Sequence, residues 1–374
     1  MITVGVLTSS RADYGIYLPL LMALNKDNDF DLKLVVFGTH LSKFHGFTLS
    51  QIESDGFVAF KKIESLLLGD SSNAIASAYS LTALKFSEFW EENANEFDVV
   101  FALGDRFEMA AAVAASIPYQ VKIAHLHGGE TTLGAIDNVY RHFISLASSL
   151  HFVSTESFKN RLIQLLNEEG AGIFNVGSLS LENLATMPIL SIDEFYEKWG
   201  INLNQDTILV TVHPETIAFN LNEKYCREVS IALEQLSTNY QIVVTMPNAD
   251  TAGMIYRLAF ENLSNKHENI KCIENFGTQS YFTCMRYSKL LIGNTSSGIL
   301  EAASLKKYVL NLGDRQKGRL AGKNVIHLPF IADKIVSKAV DYSQIQFEGE
   351  NLYYQPNPSN NILRILKENY ANFS

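Results

Sequence analysis

Short apolar runs recur along this chain, each separated from the next by a segment of helix length, and that rhythm restricts the fold more than any single motif. In the first half the runs are ITVGVLT, FDLKLVVFG, DVVFALG, VKIAHLHGG and SLHFVST. A strand buried on both faces reads as a continuous apolar run, and parallel neighbours need a crossover between them. The pattern predicts β-α-β-α units whose parallel sheets are covered on both sides by helices. After about residue 178 the rhythm restarts with DTILVTVH, YQIVVTMPN, IKCIENF, SKLLIGN, YVLNLG and NVIHL. The stretch between, LSLENLATMPILSIDEFYEKWGINLNQ, has one proline and no strong strand, as suits an interdomain connection. At 374 residues the chain exceeds what one core usually fills. The expectation is an α/β protein of two Rossmann-like domains, 1–178 and 179–352, with parallel sheets facing a central cleft. Residues 353–374 are expected to form a C-terminal helix that packs back on the first domain.

Composition narrows the partners. A chain that is 47% hydrophobic and 19% charged is globular rather than disordered. A net charge of -10 argues against nucleic acid, which needs a basic face. A small anion stays open, because local arginines and helix ends can hold one. Cys226, Cys272 and Cys284 make no metal spacing and no paired framework, so reduced thiols are expected. The N-terminal run reads as a strand rather than a signal peptide, and no run is long enough to span a bilayer. The reading is a cytoplasmic protein with no membrane partner.

Open α/β sheets bind ligands beyond the carboxyl ends of their strands. Those positions are polar at nearly every strand: Ser9, Ser10, Arg11 and Asp13; His40; Asp105 and Arg106; His127 to Glu130; His213 to Glu215; Asn248 to Asp250; Asn294 to Gly298; Asp314 and Arg315. In GNTSSGILEAASL (293–305) a strand ends in hydroxyl residues and a glycine, then a helix starts. Free N–H groups, the hydroxyls of Thr295, Ser296 and Ser297, and Gly298 would suit phosphate there. Glu301, about two turns into that helix, could accept from a ribose diol. An ordinary helix cap gives the same local pattern. Arg315 in GDRQKGR and Arg11 in SSRADYG could neutralise a diphosphate, although Arg11 could equally pair with Asp13.

The densest stretch is HLHGGETTLGAIDNVYRH (125–142), with His127, Glu130 and Asp137 followed by Arg141 and His142. Asp137 and Arg141 stand four apart and could simply pair on a helix face. Asp105 could cap a helix, and His213 in VTVHPE could be structural. Taken together, Asp105, His127, Glu130, Asp137 and His213 suit general acid–base work, which needs tuned donors and acceptors around one substrate. The chain has no GxSxG elbow, no GxxxxGK[ST] and no GxGxxG after the first strand. What remains is proton transfer beside a bound diphosphate, with no metal and no cofactor.

The motifs SSRADYG, GTHLS, GDRFE, HLHGGETTLGAID with RH, VTVHPET, MPNAD, GNTSSGILE and GDRQKGR, in this order, resemble the UDP-N-acetylglucosamine 2-epimerase family. The likeness is strongest to its hydrolysing, sialic-acid-pathway (NeuC-type) branch and spans nearly the whole chain. It implies a GT-B-like fold with UDP on the C-terminal half, a homo-oligomer built on dimers, and a UDP-sugar substrate. It assigns phosphate to Thr295, Ser296 and neighbouring backbone, ribose to Glu301, and diphosphate to Arg315 and Arg11, with Asp13, Asn248, Ser297 and Gly298 completing the binding set. The implied reaction turns UDP-N-acetylglucosamine and water into N-acetylmannosamine and UDP. The C2 proton is lost, UDP departs to leave a glycal, and water adds. His127 stands where animal and non-hydrolysing relatives carry glutamate, and Asn138 where relatives often keep a second acid, so proton roles do not transfer one by one. The alternatives are the same reaction on a UDP-2,4-diacetamido-2,4,6-trideoxyhexose of the legionaminic acid pathway, a non-hydrolysing epimerase, a GT-B glycosyltransferase, and a non-catalytic nucleotide-sugar sensor.

Overall fold

The computed structural model describes residues 1–370 except 44–46, 68, 70, 132, 134–135, 168–169, 171, 216–217 and 248–252. It divides into two compact units, one comprising Met1–Glu130, Asp137–Asn183 and Tyr353–Ser374, the other Thr131–Ile136 and Leu184–Leu352. The first unit thus runs on past residue 178 to Asn183, and the short segment after Glu130 counts with the second.

In the first unit the chain runs β1 (Ile2–Thr8), α1 (Arg11–Lys26), β2 (Phe30–Phe37), α2 (Leu49–Ser54), β3 (Ala59–Ile63), α3 (Ser72–Asn93), β4 (Val99–Leu103) and α4 (Phe107–Ser116). It continues through β5 (Ile123–Leu126), α5 (Asp137–Leu146), β6 (Leu150–Val153), α6 (Glu156–Leu166) and β7 (Ile173–Asn175). The strands form one parallel sheet in the order β3-β2-β1-β4-β5-β6-β7. The runs named above all became strands, and their apolar character has its expected cause. The five residues of β4 are all buried, packed between α1 on one face and α3 and α4 on the other. The two edge strands, β3 and β7, were not among those runs. An edge needs little apolar sequence, and the middle of β3 (Phe60, Lys61, Lys62) lies exposed.

In the second unit α7 (Leu179–Thr186), which straddles the boundary, and α8 (Ile192–Trp199) precede β8 (Thr207–Thr211), α9 (Asn222–Leu236), β9 (Gln241–Thr245), α10 (Gly253–Lys266), β10 (Ile270–Ile273) and α11 (Gly277–Tyr287). Then come β11 (Leu290–Gly293), α12 (Ser296–Leu300), β12 (Val309–Leu312), β13 (Val325–Leu328) and α13 (Ala332–Ser343). This sheet is also parallel, ordered β10-β9-β8-β11-β12-β13. The last helix, α14 (Pro358–Asn369), belongs to the first unit, where Ile362, Leu363, Ile365 and Leu366 bury in the same core as Tyr17, Leu20, Leu21 and Leu24 of α1. Among the described residues no helix is long and apolar enough to cross a membrane, and the three cysteines are unpaired.

Both sheets share one consequence of strand order. In each, the two central strands (β1 and β4, β8 and β11) send the chain off in opposite directions. Their carboxyl-end loops separate and open a crevice, the place where such sheets take ligands. The loop after β1 leads into the helix turn of Asp13 and the loop after β4 carries Asp105; those after β8 and β11 carry His213 and Asn294.

Candidate active site

The first unit's crevice begins with a loop that is bonded to itself. Asp13, the third residue of α1, is buried and accepts from the Ser9 N–H (2.8 Å), the Ser10 N–H (2.7 Å), both serine hydroxyls (2.9 and 3.0 Å) and Thr8 Oγ1 (3.2 Å). With Ser10 it forms a capping box that starts α1. His40, also buried, lies 2.9 Å from Thr8 Oγ1 and 2.7 Å from Thr48 Oγ1, and burial lowers its pKa. Asp13, expected to bind substrate, has its carboxylate engaged in shaping this loop. Arg11, at the first position of α1, is exposed.

The proton-transfer candidates gather around Arg141. This residue shares the buried face of α5 with Ile144 and Ser145. Its guanidinium contacts the Asp105 carboxylate, donates to the His127 carbonyl (2.9 Å), and reaches Glu130 Oε2 (3.4 Å). Burial pulls the Arg141 pKa down, but Asp105, Glu130 and Asp137 outweigh it and the net shift is upward. Arg141 was absent from the expected site residues; beside the nearby Asp137 it serves Asp105, the His127 carbonyl and Glu130. The signal in the sequence was thin: an arginine three and four residues before buried positions of one helix.

Glu130 is 1% exposed, and its Oε1 lies 2.6 Å from His127 Nδ1 and 3.1 Å from the Ser154 hydroxyl. A carboxylate only accepts, so His127 Nδ1 carries the proton of that bond and Nε2 is left for a second partner. His127 holds a left-handed backbone (φ 64°), uncommon for a residue with a side chain, and its N–H donates to Phe152 O at 3.1 Å. Asp137 opens α5 half-buried. The structure therefore brings Asp105, His127 and Glu130 onto one arginine, with Asp137 one turn away along the helix.

The second unit's crevice is built on Asn294. Its side chain accepts from the His213 N–H (2.7 Å) and donates to the His213 carbonyl (2.9 Å), tying the loop after β8 to the loop after β11. Gln316 donates to the Asn294 carbonyl at 2.8 Å. Glu215 is buried, and its Oε1 receives the N–H groups of Asp314 and Arg315, both at 3.0 Å, while the Arg315 guanidinium donates to Pro214 O at 2.8 Å. Burial raises the Glu215 pKa, against the pull of those donors. Thr295, Ser296 and Ser297 are half-buried, and Tyr281 Oη lies 2.6 Å from Ser297 Oγ. Asn294 and Glu215 stood among the polar strand ends without an assigned role, and Gln316 and Tyr281 were not named at all.

One expectation changes in this unit. Glu301 is not two turns into a helix: α12 ends at Leu300 and Glu301 is its buried C-cap. The Ala302 N–H reaches back to Ser297 O, and from Ser304 to Lys306 the bonds tighten to three-residue turns, so the helix stops early. Asn248 lies outside the described residues.

The sequence pattern of the UDP-N-acetylglucosamine 2-epimerase family matches residues 22–367. The chain belongs to that family. It is similar to the GDP/UDP-N,N'-diacetylbacillosamine 2-epimerase (hydrolyzing) of Campylobacter jejuni, 36% identical over 86% of this chain and 83% of that protein. It is also similar to polysialic acid biosynthesis protein P7 of Escherichia coli, 32% identical over 96% and 92%. Among solved structures, the UDP-GlcNAc 2-epimerase of Neisseria meningitidis bound to UDP-GlcNAc superposes with a TM-score of 0.81 at 19% identity, covering 99% of this chain and all of that one. The two parallel α/β domains are thus the GT-B-like fold of this family.

Proposed function

We propose that the protein is a hydrolysing 2-epimerase of a UDP-linked 2-acetamido sugar. The reading rests on the buried His127–Glu130 pair joined through Arg141 to Asp105 at the open end of the first sheet. A base removes the C2 proton, the C1–O electron pair leaves with UDP, and a glycal with a C1=C2 double bond remains. Water then gives its hydroxyl to C1, and C2 regains a proton from the opposite face. This yields the free 2-epimer and UDP, with no net oxidation.

That sequence needs two groups that trade protons and a frame to hold them. His127 Nε2 and the Asp105 carboxylate are the traders in this reading. Glu130 orients the imidazole and stabilises it when charged, as a carboxylate behind a catalytic histidine does. Asp137 and His213 complete the set. UDP falls to Thr295, Ser296, Ser297 and Gly298 for phosphate, Glu301 for ribose, and Arg315 and Arg11 for charge. Support comes from Glu215, which fixes the backbone of Arg315, and from Asn294, which fixes the backbone of His213.

The Campylobacter relative's name favours a UDP-2,4-diacetamido-trideoxyhexose as the first substrate to test. The second reading, UDP-N-acetylglucosamine on the way to sialic acid, is favoured by the motif resemblance and by the polysialic acid relative. NMR in D₂O with each sugar separately decides. Free sugar deuterated at C2, released with UDP, is the expected result; a UDP-linked product would place the protein among non-hydrolysing epimerases. No release and no exchange with either sugar would overturn the reading.

A further inference from the structure

Building on that reading, we propose that His125 is a positioning residue for the proton-transfer centre, a buried imidazole that sets Asp105 against Arg141 without touching the sugar. His125 lies on β5 and is completely buried. Its Nε2 is 2.9 Å from the Gly104 carbonyl, which can only accept, so Nε2 carries the proton. Nδ1 is then bare and accepts from the Ser145 hydroxyl at 3.0 Å.

The two ends of this bracket fall on the two residues that meet in the centre. Gly104 immediately precedes Asp105, and its left-handed backbone (φ 75°) aims the chain out of β4, so fixing its carbonyl fixes the peptide from which the carboxylate springs. Ser145 follows Arg141 by four residues, one turn along the same face of α5. The third segment of the centre also closes on the ring. A Cβ placed on Gly128, the neighbour of His127, would lie 3.0 Å from His125 Nδ1 and 3.1 Å from Ser145 Oγ. One side chain therefore bonds Gly104 and the helix of Arg141 and packs beside Gly128. Burial first, with the nearby His151, Arg141 and His127, outweighs the upward pull of the Gly104 bond and keeps the ring neutral, with a pKa of about 3, so both bonds keep their polarity wherever the enzyme works.

The test uses the full chain and whichever UDP-sugar the wild type turns over. His125→Gln places an amide N–H where Nε2 was and keeps the Gly104 bond, whereas His125→Asn retains only an acceptor toward Ser145. Displacement of a catalytic carboxylate by about an ångström costs on the order of 100-fold in rate. His125→Asn should lose about 100-fold in kcat, with KM and calorimetric UDP affinity unchanged, and His125→Gln should recover to within about 10-fold of wild type. Ser145→Ala, which removes one bond and no volume of consequence, should cost about 3- to 10-fold in kcat alone. Folded His125→Asn at wild-type kcat would overturn the inference, as would equal losses in both His125 variants. If His125→Asn does not fold, unchanged kcat in Ser145→Ala would overturn it instead. A wild type that neither releases nor exchanges either sugar would overturn the proposed reaction, and this inference with it.

Discussion

Arg141→Met should be the most damaging single substitution in the first unit. Arg141 and Glu130 side chains are each 2% exposed, so removing the guanidinium takes away a buried carboxylate's neighbouring cation and leaves it to the His127 and Ser154 contacts. Breaking a buried pair in this way costs about 3–5 kcal/mol. For a unit of this size each kcal/mol moves the melting temperature by about 2–4 °C, so a fall of roughly 6–20 °C is expected. Asp105 adds less, because its side chain is 23% exposed and water can take over. The decisive comparison is the double variant Arg141→Met/Glu130→Gln. Neutralising Glu130 removes the stranded charge while Gln still offers an oxygen to His127 and Ser154. It should regain roughly 2 kcal/mol, a coupling that urea unfolding of the four-member cycle measures. Arg141→Lys should lie between, since a point charge cannot serve Asp105, Glu130 and the His127 carbonyl with one fork. If Arg141→Met lies within about 1 kcal/mol of wild type, or if the two single effects simply add, the network does not hold the site as described.

Other perturbations address separate parts of the structure. Because the folded pKa of Glu215 is raised from its ordinary 4.5, folding loses stability as pH rises through that raised value. Glu215→Gln should therefore be at least as stable as wild type near pH ~8 and show no advantage near pH ~4, in melts at the two pH values; an offset independent of pH would contradict the assignment. His125 and His151 have the opposite sign. Their folded pKa values of about 3 and about 4 lie below the ordinary 6.5, so stability is intact above about 6.5 and falls as pH drops. Each should add about 1.4 kcal/mol per pH unit to that slope, and His151→Leu should remove its share between pH ~6 and ~5 in urea titrations. Gly293→Ala should unfold the second unit at distinctly lower urea, since φ is 155° and a Cβ there would collide with the Thr211 backbone carbonyl. Wild-type stability of that variant would show that the close approach of β11 to β8 is misplaced.

The residues of the candidate site were legible to different degrees, for physical reasons. Asp105, His127 and Glu130 could be named because each follows an apolar run, and the carboxyl end of a parallel strand is a predictable place for polar groups. Asp13 could be located but not given its task, since whether a carboxylate faces a ligand or the hydroxyls of its own loop depends on which way α1 starts. Glu301 was placed on a longer helix because propensity favours one through LEAASL; the bonds that end α12 at Leu300 are set by the turns that follow. Arg141 was passed over because its partners lie 36 and 11 residues away in the chain.

The sequence by itself determined the alternation of strand and helix, the restart that makes two sheets, the strand ends where chemistry could sit, and the resemblance that names the family. All of these are written in local hydrophobic period and short motifs, which the chain carries before it folds. The tertiary structure alone decided the pairing: the edge positions of β3 and β7, the double tie of Asn294 to His213, the tautomers of His125 and His127, and the convergence of Asp105 and Glu130 on one buried arginine. Partner choice in a low-dielectric interior depends on which strands neighbour one another and where a helix crosses them, and those facts exist only after long-range closure.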